Sequence, residues 1–227
     1  MKKVFGSAFK VSAIALAICA STAASAQTAG SWAVELGIDH YTPKSSSGDM
    51  SAPSAPGSKF DIGSDTQPFV AATYMVSDHI AVEAQLSAPF RQDLTGSGSI
   101  GGSRKLGSVR TLLPSVFAQY RFGEAQAAFR PYLGAGLSYA YFHKESGSGA
   151  LTALTNTGSA SPTTFQLDNT FGLGLQAGAT FAFNDRWFAD AAVTKTFLKT
   201  TVHYSTRQSQ DLKLDPLSIR IAVGYRF

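Results

Sequence analysis

Apolar and polar residues alternate along eight separate segments of the chain, as in strands that present one apolar and one polar face. The clearest is Ile80 to Phe90, where Ile80, Val82, Ala84, Leu86, Ala88 and Phe90 oppose Glu83, Gln85 and Ser87. The others are Ser31 to Tyr41, Pro68 to Val76, roughly Leu112 to Phe122, Phe129 to Phe142, Thr170 to Phe183, Trp187 to about Thr200, and Leu217 to Phe227. In the last, Leu217, Ile219, Ile221, Val223, Tyr225 and Phe227 share a face, so the alternation runs into an aromatic final residue.

The connections alternate in length. Ser77-Asp78, Gly123 to Ala128 and Asn184-Asp185 are short, whereas 42–66, 91–108, 144–166 and 201–213 are long. Eight strands, three short turns and four long loops fit an all-β fold, an eight-stranded antiparallel transmembrane β-barrel with turns at the periplasm and loops outside. Apolar stretches of ~10 residues, tilted, span the ~25 Å apolar band of such a barrel. Closure is required, because an open edge in lipid strands N–H and C=O groups at several kcal/mol each. Tyr74, Tyr120, Phe122, Phe183, Trp187, Tyr225 and Phe227 gather at the turn-side ends, as a periplasmic aromatic girdle. A lipocalin-like barrel or β-sandwich is the soluble alternative, but the opposite faces are too polar for its dry core.

Composition narrows the class. Charged residues are 15% and aromatics 11% of the 227 residues, against roughly 25% charged in soluble domains. Lys2, Lys3 and Lys10 precede or flank the apolar run Val11 to Cys19, and Ala24-Ser25-Ala26 is a small-x-small site. Residues 1–26 therefore read as a secretory signal peptide, too short for a membrane span, leaving 27–227 as one barrel. The rival, a lipidation signal at Cys19, wants a small residue in place of Ile18. Removal of the three lysines takes the formal charge from +4 to +1 and carries off the sole cysteine, so neither nucleic-acid binding nor a disulfide framework is expected.

Inward positions carry the candidate chemistry. Glu35, Asp39, Glu83 and Asp190, with Arg121, Arg130, Arg220 and Arg226, would face one another across the lumen; since buried charges must be paired, they are expected to form a charged plug. The alternative is a polar pore lined by the same groups. The inward apolar positions are Phe69, Met75, Leu113, Phe117, Tyr132, Phe142 and Phe188, of which Phe69, Leu113, Phe117, Tyr132 and Phe142 are candidates for an apolar path, with filler as the alternative. Gly134, Gly136, Gly172, Gly174 and Gly178 line one inner wall, as tight curvature or as a groove. His40, His79, His143 and His203 lack metal-ligand spacing, and no nucleophile–base constellation stands out, so neither metal, cofactor nor enzymatic activity is expected.

The stretches GSWAVELGI, FRPYLGAGLSYAYF, DNTFGLGLQAGATFAFNDRWFADAAV and IAVGYRF together resemble the OmpW family of outer-membrane barrels. Arg220 to Phe227 also resembles the signal read by the outer-membrane assembly machinery, with Tyr225 and Phe227 at its aromatic positions and Ala222 where glycine is common. The resemblance implies a bacterial outer-membrane channel for passive passage of small hydrophobic molecules, with sideways exit into the membrane. It leaves open a closed barrel acting through its loops in structure, adhesion, or as a phage or bacteriocin receptor. Expected partners are outer-membrane lipids and lipopolysaccharide, the assembly machinery and small hydrophobic ligands.

Overall fold

The computed structural model describes residues 27–51, 57–102, 105–155 and 161–227. The signal-peptide segment, 1–26, lies outside them. The strands are β1 (Trp32–Thr42), β2 (Ser46–Ser47), β3 (Ser58–Ile62), β4 (Asp65–Met75), β5 (Ile80–Ser87), β6 (Phe90–Gly98), β7 (Lys105–Leu112) and β8 (Ser115–Arg121). The longest, β9 (Phe129–Gly147), precedes a short helix α1 (Gly149–Thr155). Then follow β10 (Phe165–Leu167), β11 (Thr170–Ala182), β12 (Trp187–Phe197), β13 (Lys199–Tyr204), β14 (Ser209–Lys213) and β15 (Leu217–Arg226).

Eight of these close on themselves. The order β11-β12-β15-β1-β4-β5-β8-β9 returns to β11 through twelve register pairs between β9 and β11, all antiparallel. The terminal strand β15 lies between β12 and β1, and the Phe227 amide donates to the Trp32 carbonyl at 2.9 Å. Every wall strand therefore has two neighbours, as a hydrocarbon environment demands.

The alternation sorts the faces as the sequence suggests. Leu36, Leu173 and Phe171 are each more than 60% exposed, while Glu35, Thr73, Glu83 and Gln119 on the opposite faces are buried. This is an apolar exterior around a polar interior, inverted relative to a soluble core. At the turn end the girdle rings touch: Trp32 and Tyr74 at 4.9 Å, Tyr120 and Phe122 at 5.0 Å, and Tyr225 with both Trp187 and Phe227 at 5.0 and 4.9 Å.

The long connections hold more order than their Ser, Gly and Thr content implies. Segments 42–66, 91–108, 144–166 and 201–213 contain all or part of β2, β3, β6, β7, β10, β13 and β14. They extend the walls as two sheets, β3-β6-β7-β9 and β10-β13-β14-β2. Between these lies an apolar cluster including Phe60, Phe90, Leu106, Phe142, Phe165 and Leu212, with Tyr41 stacked on Phe90 at 4.6 Å. Burial between the two sheets is what orders segments of weak strand propensity.

Two uninterrupted runs suggested by alternation are broken. Residues 80–90 divide at Ala88-Pro89 into β5 and β6, and 112–122 divides at Leu113-Pro114 into β7 and β8. Proline has no N–H for the ladder, so a strand run through it loses its pairing there.

Candidate functional site

The lumen is built in two storeys. The lower is polar and hydrogen-bonded across the barrel. Glu83 on β5 is fully buried and accepts from three strands: Arg220 Nη2 at 3.0 Å, Gln119 Nε2 at 3.0 Å and Gln176 Nε2 at 3.1 Å. Arg220 also donates to Gln85, and its guanidinium lies 5.0 Å from the Phe69 ring centre. Asp190 accepts from the Tyr132 hydroxyl at 3.0 and 3.1 Å, and Asp39 from Ser87 at 2.9 Å. Toward the periplasm, Arg121 and Arg130 converge on the side-chain oxygen of the buried Gln27 at 3.2 and 3.0 Å.

All eight charged residues expected in a plug are therefore buried in the barrel, but of these eight only Glu83 and Arg220 lie within ion-pairing distance of one another. Amides, hydroxyls and backbone carbonyls satisfy most of the rest. Arg226 stacks on Phe188 at 4.8 Å. Neither Glu35 carboxylate oxygen finds a hydrogen-bond partner among the described residues.

Aromatic rings fill what the polar network leaves. A Cβ at Gly174 would come within 2.7 Å of the Phe117 ring, and one at Gly178 within 2.5 Å of Tyr132. Gly174 and Gly178 of β11 are thus sockets for rings from β8 and β9, whereas a Cβ at Gly172 would meet Leu198, Thr196 and the Phe197 carbonyl. Of the five inward apolar candidates, Leu113 and Phe142 belong to the upper apolar cluster. Phe69 packs below it with Ala71 and Ala222, and Phe117 and Tyr132 lie at the level of the plug network.

The upper storey is the apolar cluster between the two extracellular sheets, packed shut by its own side chains. Where the storeys meet, the hydrogen-bond ladder between neighbouring strands is interrupted. Pairing of β5 with β8 ends at Gln85 and Ser115, and pairing of β6 with β7 begins at Phe90 and Thr111. An outer groove of about 380 Å³ lies against this gap, lined chiefly by apolar residues such as Pro114, Leu137 and Phe171. Its lining also includes Gln85, Ser115 and Ser138, which belong to the inward face; Ser115 donates to Ser138 at 2.7 Å. Pro89 and Pro114 were the sequence signal for this interruption, overlooked because the apolar alternation continues through them.

The second interruption, between β13–β14 and β12–β15, is held by Asp215. Its carboxylate accepts from the Leu198 amide at 3.0 Å and pairs with Lys213 at 3.0 Å, while Lys195 donates to its carbonyl. Burial pushes this carboxyl up, but the Lys213 and Leu198 bonds and the nearby Lys195 charge hold it below its ordinary value.

His40 contacts Thr66, His79 the Arg121 carbonyl, and His203 pairs with Asp168 at 3.0 Å on the exposed extracellular sheet. Among the described residues no group of three His, Cys, Asp or Glu is placed to hold a metal ion.

The OmpW family model matches residues 28–227, the barrel and its extracellular sheets together. The chain belongs to the OmpW family. Outer membrane protein W of Vibrio cholerae is 33% identical over 216 residues, covering 93% of this chain and 95% of its own length. Among solved structures, OprG from Pseudomonas aeruginosa has 26% identity and a TM-score of 0.79 across 89% of this chain and 98% of its own. Escherichia coli outer membrane protein W has 25% identity and a TM-score of 0.57 across 88% and 99%. As an OmpW-family barrel, the protein resides in the bacterial outer membrane.

Proposed function

We propose that the barrel passes small hydrophobic molecules from the cell exterior into the outer membrane, passively and without cofactor or catalysis. The observation that carries this reading is the break in strand pairing at Pro89 and Pro114, which lies between the polar plug and the apolar cluster. A hydrophobic solute entering from above meets side chains it can displace at little polar cost. Below, the network around Glu83 and Arg220 offers it only buried polar groups that it would leave unsatisfied. The easier path is sideways, through the gap and along the apolar groove into lipid. The same network opposes the flow of water and ions into the periplasm.

The tightly packed chamber favours a second reading, a closed barrel recognised through its extracellular sheets. Entry of an uncharged lipophilic dye into vesicles carrying the protein separates the two. Passage predicts faster entry than into protein-free vesicles, and Phe142→Arg, which puts a charge into the chamber, returns the rate toward background. Parent protein that never exceeds protein-free vesicles sinks the transport reading and leaves the second.

A further inference from the structure

Above the apolar belt, the outer wall carries like charges directly opposite one another. Arg91 of β6 faces Arg110 of β7, and Arg110 faces His143 of β9, in one row across three strands. These side chains point outward, since Phe90, Gln92, Val109, Thr111 and Phe142 beside them are buried. Further around the barrel, Lys199 of β13 faces Lys213 of β14, again outward, with Thr200 and Leu212 buried alongside. Directly opposed like charges destabilise a sheet. Arg91, Arg110 and Lys199 have no carboxylate within ion-pairing distance among the described residues, although Asp65 accepts the Arg91 backbone amide and lies near enough to feel the Arg91 charge, and Asp215 pairs with Lys213.

What lies beneath both rows is apolar and lipid-facing. Tyr141 stacks on His143 at 5.5 Å, and Tyr139 touches Phe171 at 4.7 Å. Phe171 then joins Leu173 and Phe197 in a groove of about 430 Å³ whose charged lining is Lys199, Lys213 and Asp215, the last paired with Lys213. A strip of rings thus runs from one cationic row to the other, at the level where the belt ends.

We propose that these two rows bind the phosphate groups of an acylated, phosphorylated lipid of the outer leaflet, with its acyl chains against Tyr139, Phe171, Leu173 and Phe197. The guanidinium forks suit phosphate oxygens, and the anion relieves the in-register repulsion. A free anion would use the cations but gain nothing from the rings, so the occupant is a lipid. Such lipid holds the protein at a fixed depth with the break in strand pairing in the outer leaflet. This inference rests on the outer-membrane location and is independent of solute passage.

The test is native mass spectrometry of the intact barrel in neutral detergent, titrated with bis-phosphorylated lipid A, the same lipid stripped of phosphate, and inorganic phosphate. Variants Arg91→Gln/Arg110→Gln and Lys199→Gln/Lys213→Gln remove each row, and Arg91→Lys/Arg110→Lys keeps the charge. All are first checked for the folded band on unheated gels. The parent should bind phosphorylated lipid at least tenfold more tightly than the stripped form, and each glutamine pair should lose roughly tenfold. The lysine pair should keep most of the affinity. Equal binding by parent and both glutamine pairs overturns the proposal, as does equal binding of the stripped lipid. Displacement of the lipid by inorganic phosphate at comparable concentration overturns the lipid as occupant. Should one row's variant not fold, the other row's pair decides.

Discussion

Removing the Glu83 charge should weaken the barrel severely, and removing the Arg220 charge as well should recover part of the loss. In Glu83→Gln the guanidinium loses the one carboxylate within ion-pairing distance of it among the described residues, and the new amide NH₂ is directed at a donor, Gln119 or Gln176, where an acceptor stood. Arg220 itself is fully buried. Breaking a buried pair from one side costs about 3–5 kcal/mol, because a charge remains without compensation. Glu83→Gln/Arg220→Gln removes both members of the pair, so it should fall short of the summed single losses by about 2 kcal/mol or more. The assay is reversible urea unfolding in lipid vesicles, followed by tryptophan fluorescence. Trp32 and Trp187 lie in the girdle, exposed toward lipid, and report loss of insertion. Single losses that add in the double variant to within about 0.5 kcal/mol would refute the coupling on which the plug depends.

Three further outcomes follow from the geometry. Gly178→Leu should cost about 1–3 kcal/mol by forcing Tyr132 from its socket, measurable in the same titration; an unchanged midpoint would mean the ring is free to move. Phe227→Ala keeps the backbone bond to Trp32, so refolding stability should stay within about 0.5 kcal/mol of the parent while the folded fraction in the outer membrane of cells falls; normal assembly would show that the side chain is not recognised. Asp215 is held below its ordinary 3.8, so its stabilising bonds are complete above that pH and are lost as pH falls through its lower folded value. The parent should therefore lose about 0.5–1 kcal/mol on acidification below pH ~4 that Asp215→Asn does not lose, and parallel pH profiles would contradict this.

The barrel was legible because its requirement is local and repetitive. Every wall strand must show lipid one face and the lumen the other, so alternation around Leu36, Glu83 or Leu173 fixes orientation residue by residue. Partnerships across the lumen obey no such period. Nothing in the spacing says that Glu83 will meet Arg220, Gln119 and Gln176 together, or that Arg121 and Arg130 will share the oxygen of Gln27. Opposed acids and bases suggested ion pairs, whereas amides do much of the pairing. The extracellular sheets were obscured for another reason. Their strands are short and Ser-, Gly- and Thr-rich, and gain order only from apolar residues scattered one or two per segment, such as Phe60, Leu106, Phe165 and Leu212. Pro89 and Pro114 were readable from sequence, since proline seldom sits within a paired strand, but an alternation count passes over them.

The family assignment and the break in strand pairing point to the same decisive experiment. Uptake of a hydrophobic probe into intact cells, with and without the protein, should be measured alongside single-channel conductance of the purified barrel. Passage above a closed polar plug predicts faster uptake together with little ionic conductance. Uptake unchanged by the protein, or acceleration accompanied by a large steady ion current, would contradict it.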